Sequence, residues 1–258
     1  MKIGLFIKHE VVSKELEESL IQKVLSSGHQ IDDENPEYVF SIGGDGTFLK
    51  AVHKYLNKLD RITFVCINKG NLGYFSDFAL EEFDEILAKL GSSDFVTNSY
   101  SLLKAKMNNE EIYAVNEIRI ENPFHTLISD VYIDDEHLET FRGNGLMLCT
   151  AIGSTAYNKS LGGSVIDPSL NVMELSEIAP INNRLFTSLG SPIVLSSERK
   201  VTFKGDFTNV IIGYDYLIKK DYNSNEITFS LSNKKVTILN KKNHRYIKKL
   251  SESFVGRK

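Results

Sequence analysis

The sequence predicts a chain of mixed architecture, an α/β domain followed by a mainly β domain. Three observations carry this. Over the first ninety residues, short apolar runs alternate with segments of helical spacing. After Gly91, strand-like runs follow one another with little helical signal between them. The 258 residues, 41% of them apolar, suffice for two domains with cores of their own.

Residues 2–7 are an apolar run that reads as a buried strand. Residues 13–25 place Leu16, Leu20, Val24 and Leu25 at helical spacing. A second strand, residues 38–42, ends at Gly43 and Gly44. Phe48, Leu49, Val52, Tyr55, Leu56 and Leu59 mark one helix face, residues 62–67 a third strand, and Leu80, Phe83, Ile86, Leu87 and Leu90 another helix. Strands separated by helices imply a parallel sheet covered on both faces. The domain boundary falls near residues 91–98. Beyond it, residues 101–107, 112–120, 127–133, 201–204, 210–216, 226–231 and 235–239 read as strands. Turn formers such as Asn108-Asn109 and Asp134-Asp135-Glu136 separate several of them. Residues 155–160 and 170–178 read as helices, and Tyr246, Ile247, Leu250 and Phe254 as a closing short helix.

Bulk properties narrow the function. The net charge of −4 gives no basic face for nucleic acid, and the dense basic stretch at residues 241–249 reads as a solvated helix end. No run of 18 apolar residues spans a membrane, and residues 1–10, interrupted by Lys8, His9 and Glu10, are too short for a signal peptide. Cys66 and Cys149 lie in separate apolar runs without a CxxC partner, which suits buried thiols in a reducing cytoplasm. The six histidines form no ligand spacing, so no protein-held metal site is expected. Asp134-Asp135-Glu136 reads as a hairpin turn rather than a metal cluster.

Two glycine clusters carry the chemistry. Gly43-Gly44-Asp45-Gly46-Thr47 follows a strand and precedes an amphipathic helix. Glycines let ligand atoms approach the main chain, and successive N–H groups at a helix start form an anion site. Thr47 reads as the helix N-cap, and Lys50 as a first-turn lysine within reach of a phosphate. Asp45 beside a phosphate repels it, unless it faces a hydroxyl to be deprotonated or a Mg²⁺ on the phosphates. A tight turn with Asp45 as turn former is the alternative. No G-x-x-x-x-G-K-[ST] or G-x-G-x-x-G occurs at this loop, against a P-loop ATPase or an ordinary dinucleotide fingerprint.

The second cluster runs from Gly143-Asn144-Gly145 through an apolar strand to Gly153-Ser154-Thr155-Ala156-Tyr157 and Gly162-Gly163. Thr155 and Ser160 offer hydroxyls and Tyr157 a flat ring. Ser154 directly after Gly153 has the wrong spacing for a nucleophile elbow. A packed strand–turn–helix corner is the alternative. In residues 112–120, alternation puts Asn116 on a face with Ile112, Ala114, Ile118 and Ile120, where a buried amide needs partners, from the backbone or from a ligand. Glu117 then faces the other way, beside Arg119, unless a bulge intervenes.

Together these motifs, with Gly70-Asn71-Leu72-Gly73-Tyr74 and Asn116-Glu117 in the same order along the chain, resemble the NAD kinase family. Phe141-Arg142-Gly143 and Ile181-Asn182-Asn183-Arg184 look like its short form in low-GC Gram-positive bacteria. The first motif is shared with diacylglycerol kinases and phosphofructokinases; the ordered set is far more specific.

The resemblance implies a Rossmann-like α/β phosphate-donor domain at residues 1–95, joined by a returning tail at 243–258, and a β-sandwich-like NAD-binding domain at 96–242. NAD would lie between them. Asp45 would accept the proton of the adenosine ribose 2′-hydroxyl, and Gly43, Gly44, Gly46 and Thr47, with Lys50, would hold donor phosphates carrying Mg²⁺ from ATP or polyphosphate. Leu72, Gly73 and Tyr74 would line the adenine side, and Asn116, Glu117, Thr155, Ala156, Tyr157 and Ser160 would hold NAD. Arg142, Asn144, Ile152, Ala179 and Ile181 would also meet nucleotide, the last two near a subunit boundary of a homodimer or homotetramer.

The sequence departs from the family pattern at Asn144, where Asp is usual, at Ala151-Ile152, where Pro-Thr or Pro-Ser is usual, and at Tyr216, where Gly or His is usual. Two other readings remain: a lipid kinase on the same core, which the residues 153–157 motif opposes, and a nucleotide-sensing module without turnover, which the Asn144 and Ile152 departures leave open.

Overall fold

The computed structural model describes residues 1–8, 12–69, 73–220, 224–242 and 246–256. The chain divides into two compact units, Met1–Ser99 with Val236–Lys258, and Tyr100–Lys235.

The first unit is built on parallel strands, in the order Gln30–Ile31, Lys2–Ile7, Tyr38–Ile42 and Thr63–Asn68. Phe78–Ala79 pairs with the end of Thr63–Asn68, and Thr237 and Ile238 pair with its start, again in parallel. Strands buried on both faces need near-continuous apolar sequence, which Tyr38–Ile42 and Thr63–Asn68 supply. The helix Lys14–Ser26 starts where Ser13 accepts the backbone N–H of Leu16, and turns Leu20 and Val24 inward. Ile3, Phe40, Ile42, Val65 and Ile67 meet Leu20, Val24, Phe83, Ile86 and Leu87 in one core. The helix after the glycine cluster, Asp45–Lys54, is shorter than its apolar periodicity, because Leu59 lies in a separate 3₁₀ turn, Leu59–Arg61.

The second unit stacks two antiparallel sheets. One pairs Glu136–Gly143 with Leu127–Ile133, then Val201–Lys204, then the start of Glu226–Lys241. Phe95–Met107 joins the same sheet by pairing with Glu226–Lys241, and its end pairs antiparallel with Glu110–Ala114. The other sheet runs Ile193–Ser196, Val172–Ile178, Gly145–Thr150, Glu117–Glu121, Ile211–Tyr214 and Leu217–Lys219. Leu103, Leu127, Val131, Val201, Phe203 and Phe229 from the first sheet pack against Ile118, Ile120, Leu146, Leu148, Leu175 and Ile212 from the second.

Several sequence expectations change here. Residues 170–178 are not a helix: Val172–Ile178 is a strand paired with Gly145–Thr150 along its whole length. The apolar spacing there fits either period, and antiparallel pairing settles it. Residues 112–120 are not one strand, since Glu110–Ala114 and Glu117–Glu121 are separated at Val115 and Asn116. Residues 226–239 are one long strand, Glu226–Lys241, rather than two. The strand Glu136–Gly143 carries too many polar residues to be seen by alternation alone, and Ile193–Ser196, only four residues, is too short for alternation to mark it. Asp134 and Asp135, both at positive φ, form the two-residue hairpin turn between Leu127–Ile133 and Glu136–Gly143.

Phe229 is fully buried, with its ring 4.7 Å from that of Phe203. Phe229→Ala is expected to destabilise the protein by about 3–5 kcal/mol, read as a lower urea midpoint at unchanged slope.

Candidate functional site

Two clusters of the sequence-identified residues form, one within each unit. In the first, Tyr38–Ile42 ends at Gly43, whose N–H donates to the Ile67 carbonyl at 3.0 Å. A Cβ on Gly43 would run into the Thr47 side chain, so the tight turn into the helix needs glycine. Gly44 is the N-cap, without a side-chain bond, and Asp45 opens the helix Asp45–Lys54. Thr47 is therefore not the cap expected from sequence; it is the third helical residue and is buried. Lys50 lies in the second turn rather than the first, and is exposed. Cβ atoms on Gly44 and Gly46 would meet nothing within 4 Å among the described residues. Packing does not demand glycine at those two positions, and its presence leaves the helix N-terminus uncovered.

The Asp45 carboxylate is gripped from behind. One oxygen accepts the Tyr74 N–H at 2.9 Å and the other the Phe75 N–H at 3.0 Å. Gly73 must be glycine for this, because a Cβ there would come within 2.7 Å of an Asp45 oxygen. The Phe75 ring packs on Phe48, with centroids 4.7 Å apart, and the Gly73 N–H donates to Ser76 Oγ at 3.2 Å. Each carboxylate oxygen keeps a further acceptor site for a hydroxyl. Leu72, with Gly70 and Asn71, lies outside the described residues. Ser41 Oγ and Asn68 Nδ2, at the ends of the two central strands, are buried without a hydrogen-bond partner among the described residues. Between them in the strands sits Cys66, buried and free, its thiol pushed well up by burial and by the neighbouring Asp45 charge.

The second cluster is built on the break at Val115 and Asn116. The Asp215 carboxylate accepts both N–H groups there, Val115 at 2.9 Å and Asn116 at 2.8 Å. The Thr150 hydroxyl donates to the Val115 carbonyl at 2.6 Å, and the Thr150 N–H to the Asn116 carbonyl at 2.8 Å. Gly153 packs directly on the Asn116 backbone, leaving no room for a Cβ. The break removes the alternation on which Asn116 and Glu117 were expected to face apart. Asn116 Oδ1 and Glu117 Oε2 are both buried and both without a hydrogen-bond partner among the described residues. Burial, reinforced by the Asp215 charge and opposed by Arg119, pushes the Glu117 carboxyl up to about 7. Arg119 reaches toward the other Glu117 oxygen at 3.5 Å, bonds Glu121 at 2.6 Å and lies over the Tyr157 ring at 5.3 Å.

Beyond Gly153 the chain makes a single helical turn, Tyr157–Ser160, shorter than residues 155–160. Thr155, Ala156 and Tyr157 are half-buried, whereas Ser160 is exposed. Sequence reasoning missed what holds this turn. Asn158, fully buried, donates to Glu174 at 2.8 Å and accepts from the Ser176 hydroxyl at 2.8 Å. The second Glu174 oxygen takes the Ser164 N–H at 2.8 Å, and Ser154 Oγ bridges Ala151 O and Ile166 N. The alternation of Met173, Glu174, Leu175 and Ser176 is the signal that locates Glu174 and Ser176 on one strand face; the misassigned helix hid it. Asp215 is recognisable only through the pairing of Ile211–Tyr214 beside Glu117–Glu121.

Arg142, Asn144, Ala179 and Ile181 gather elsewhere. The Ile181 N–H donates to the Arg142 carbonyl at 2.7 Å, the Asn144 N–H to Ile178 at 3.0 Å, and the Arg142 guanidinium lies over the Phe186 ring at 4.2 Å. Asn144 is tied to Asn122, at the far end of the strand Glu117–Glu121 from Asn116. That strand sets the two groups roughly 17–20 Å apart along the chain direction. Ile152 is buried in the turn before Gly153.

Comparison with known proteins follows this geometry. Residues 6–95 match the ATP-NAD kinase N-terminal domain, and residues 110–240 the ATP-NAD kinase C-terminal domain. The chain is 34% identical over 261 residues to an NAD kinase of Leuconostoc mesenteroides, covering 99% of each chain. It is 34% identical to NAD kinase 1 of Bacillus cereus, covering all of both. In fold it resembles an Archaeoglobus fulgidus NAD kinase solved with ATP, at TM-score 0.78, 24% identity and 98% of each chain. It also resembles yeast NADH kinase complexed with NADH, at TM-score 0.85 and 20% identity, covering 100% of this chain and 89% of that one. With both domain models matched in order and relatives aligned end to end, the chain belongs to the ATP-NAD kinase family.

Proposed function

We propose that the protein transfers the terminal phosphoryl group of ATP or polyphosphate to the 2′-hydroxyl of the adenosine ribose of NAD, giving NADP. The observation that carries this reading is the Asp45 carboxylate, held by two backbone N–H groups at an uncovered helix N-terminus. Phosphoryl transfer asks the protein for positioning and charge placement more than for covalent chemistry. In this reading Asp45 takes the proton as the ribose oxygen attacks phosphorus. The bond from that phosphorus to the bridging oxygen breaks, and ADP or the shortened polyphosphate leaves. Residues 1–95 with 243–258 serve as the donor domain, where the main chain of Gly43, Gly44, Gly46 and Thr47, with Lys50, receives the phosphates. Mg²⁺ arrives on those phosphates, as part of the substrate.

Residues 96–242 serve as the NAD-binding domain. Asn116 Oδ1 and Glu117 Oε2 are acceptors that no described residue satisfies, and buried acceptors of that kind are costly unless a ligand donates to them. Ribose hydroxyls and an adenine amino group are donors of the right sort. Thr155, Ala156, Tyr157 and Ser160 extend the same contact surface, and the adenine side is assigned in this reading to Gly73 and Tyr74 together with Leu72. Arg142, Asn144, Ile152, Ala179 and Ile181 complete the nucleotide contacts, those near Ala179 and Ile181 from a neighbouring subunit. The apolar surface beside that corner supports a homodimer or homotetramer: Leu185 is 84% exposed and Phe186 and Leu189 are also open. No described helix is long and apolar enough to cross a membrane, and a cytoplasmic location is part of the proposal.

Incubation with NAD, MgATP or Mg-polyphosphate, and measurement of NADP, tests the reaction. Asp45→Asn should fold normally and lose at least about 100-fold in turnover; near-normal turnover by the folded variant would remove Asp45 as base. Asn116→Ala should raise KM for NAD about tenfold, the cost of one buried hydrogen bond, with a smaller effect on kcat. Glu117 generates a pH dependence of stability. Its carboxyl is raised from 4.5 to about 7 in the folded protein, so its stabilisation is whole below pH 4.5 and is lost as the pH rises through about 7. Relative to Glu117→Gln, the wild type should lose on the order of 2 kcal/mol between about pH 5 and about pH 8, by urea unfolding without nucleotide. Parallel pH profiles for the two proteins would show that Glu117 ionises freely.

A further inference from the structure

We propose that Lys249 and Asp77 are positioning residues for Asp45, acting through the segment whose main chain grips its carboxylate. The proposal rests on the reading of Asp45 as the base. Tyr74 and Phe75 donate to Asp45 from a stretch that is neither helix nor strand, so something else must fix that stretch. Two residues on, Asp77 does so. Its side chain is 7% exposed; one oxygen accepts from Lys249 Nζ at 2.8 Å and the other from Asn240 Nδ2 at 3.0 Å. Asn240 accepts in turn from Asn98 Nδ2 at 2.9 Å.

Lys249 belongs to the closing helix Tyr246–Phe254, and it is the one buried residue of that helix. The stretch at residues 241–249 was expected to be a solvated helix end; its last lysine is instead turned inward and paired. Tyr246 of the same helix meets the Tyr74 ring edge-on, with centroids 6.4 Å apart. The helix therefore touches the gripping segment at two points, a ring contact at Tyr74 and an ion pair at Asp77. Cys66 lies within electrostatic reach of Asp45, Asp77 and Lys249 together, which places all three in one neighbourhood at the end of the parallel sheet.

A buried ion pair is a poor device for stability, because desolvating both charges offsets their attraction; an apolar residue in the same place generally serves as well. What the pair does supply is direction. It allows one placement of Asp77, hence of the two N–H groups two and three residues before it, hence of the Asp45 oxygens. A base displaced by a fraction of an ångström loses rate more than it loses substrate binding.

The test is steady-state kinetics of NADP formation by the full chain, with Lys249→Met, Asp77→Asn, Asp45→Asn, the double variant Lys249→Met/Asp45→Asn, and Lys248→Met as an exposed control on the same helix. For Lys249→Met we expect kcat to fall about 10- to 100-fold, with KM for NAD and ATP within about twofold. Lys248→Met should match the wild type. In the Asp45→Asn background, Lys249→Met should cause no further loss, since the group it positions is already gone. A Lys249→Met protein with unchanged kcat overturns the proposal, as does a further proportional loss in the double variant, which marks a general structural defect. If Lys249→Met does not fold, Asp77→Asn, which keeps a carbonyl acceptor, decides on the same criteria. If neither folds, the pair is an anchor of the fold and the positioning role is discarded. Normal turnover by Asp45→Asn instead refutes the base assignment itself, a result separate from any effect of Lys249.

Discussion

A carboxylate that accepts two consecutive backbone N–H groups occurs in each of the two units. Asp45 holds Tyr74 and Phe75 in the first, and Asp215 holds Val115 and Asn116 in the second. In each case the held segment has left regular secondary structure, so its N–H groups have no ladder to join. An unpaired buried N–H is expensive, and a charged acceptor meets that need more strongly than a neutral one. The two grips differ in what they leave over. Asp45 stands at a helix N-terminus with open space beyond Gly44 and Gly46, so the carboxylate itself remains available to a ligand. Asp215 is occupied in shaping the chain, and the available atoms are the side chains it presents, Asn116 and Glu117.

Presenting those side chains is costly, and the cost is visible. Glu117 is buried near a second carboxylate, with Arg119 as partial compensation, and its proton is retained to about pH 7. A fold selected for stability alone would not place an unpartnered acceptor beside an unpartnered carboxyl oxygen. The surrounding structure bears this through a fully bonded polar frame. Asn158, Glu174, Ser176 and the Ser164 N–H satisfy one another behind the turn that follows Gly153, where half-satisfaction would be worse than an apolar core. That closed network contrasts with the pair at 116–117, whose Asn116 Oδ1 and Glu117 Oε2 have no partner among the described residues, and the proposed nucleotide contact rests on this contrast.

Legibility from sequence followed the range of the interactions. The parallel strands and their helices were readable, because burial on both faces writes a continuous apolar run, as in residues 38–42 and 62–67. The glycine clusters were readable too, because close approach leaves only one residue type, as at Gly43 against Thr47 and Gly153 against Asn116. Long-range pairing was not. Val172–Ile178 takes its strand form from Gly145–Thr150, and nothing local forbids a helix there. The break at Asn116 depends on Asp215, ninety-nine residues away in sequence. Thr47 looked like a helix cap by residue type, yet Gly44 takes that place, because the helix must start early enough to set Asp45 against Tyr74 and Phe75. The inward Lys249 was invisible for the same reason: its partner, Asp77, is 172 residues away.

The departures from the family pattern can be weighed on the same terms. Hydroxyls in the turn before Gly153 serve two different ends. Thr150 ties the turn to the Val115 carbonyl and takes the Gly153 N–H at 3.0 Å, while Ser154 closes it onto Ala151. The turn thus takes its bonds from Thr150 and Ser154, with apolar, buried Ala151 and Ile152 inside it. A hydroxyl at 152 is therefore not needed for the shape of the turn. Asn144 has a local reason as well. Its Nδ2 points at the Asn122 carbonyl at 3.4 Å, where an aspartate would set a carboxylate against that oxygen. Neither Asn144 nor Ile152 takes part in the grip on Asp45 or in the Asp215 bonds that form the break at Asn116, so both clusters keep their geometry with these residues in place.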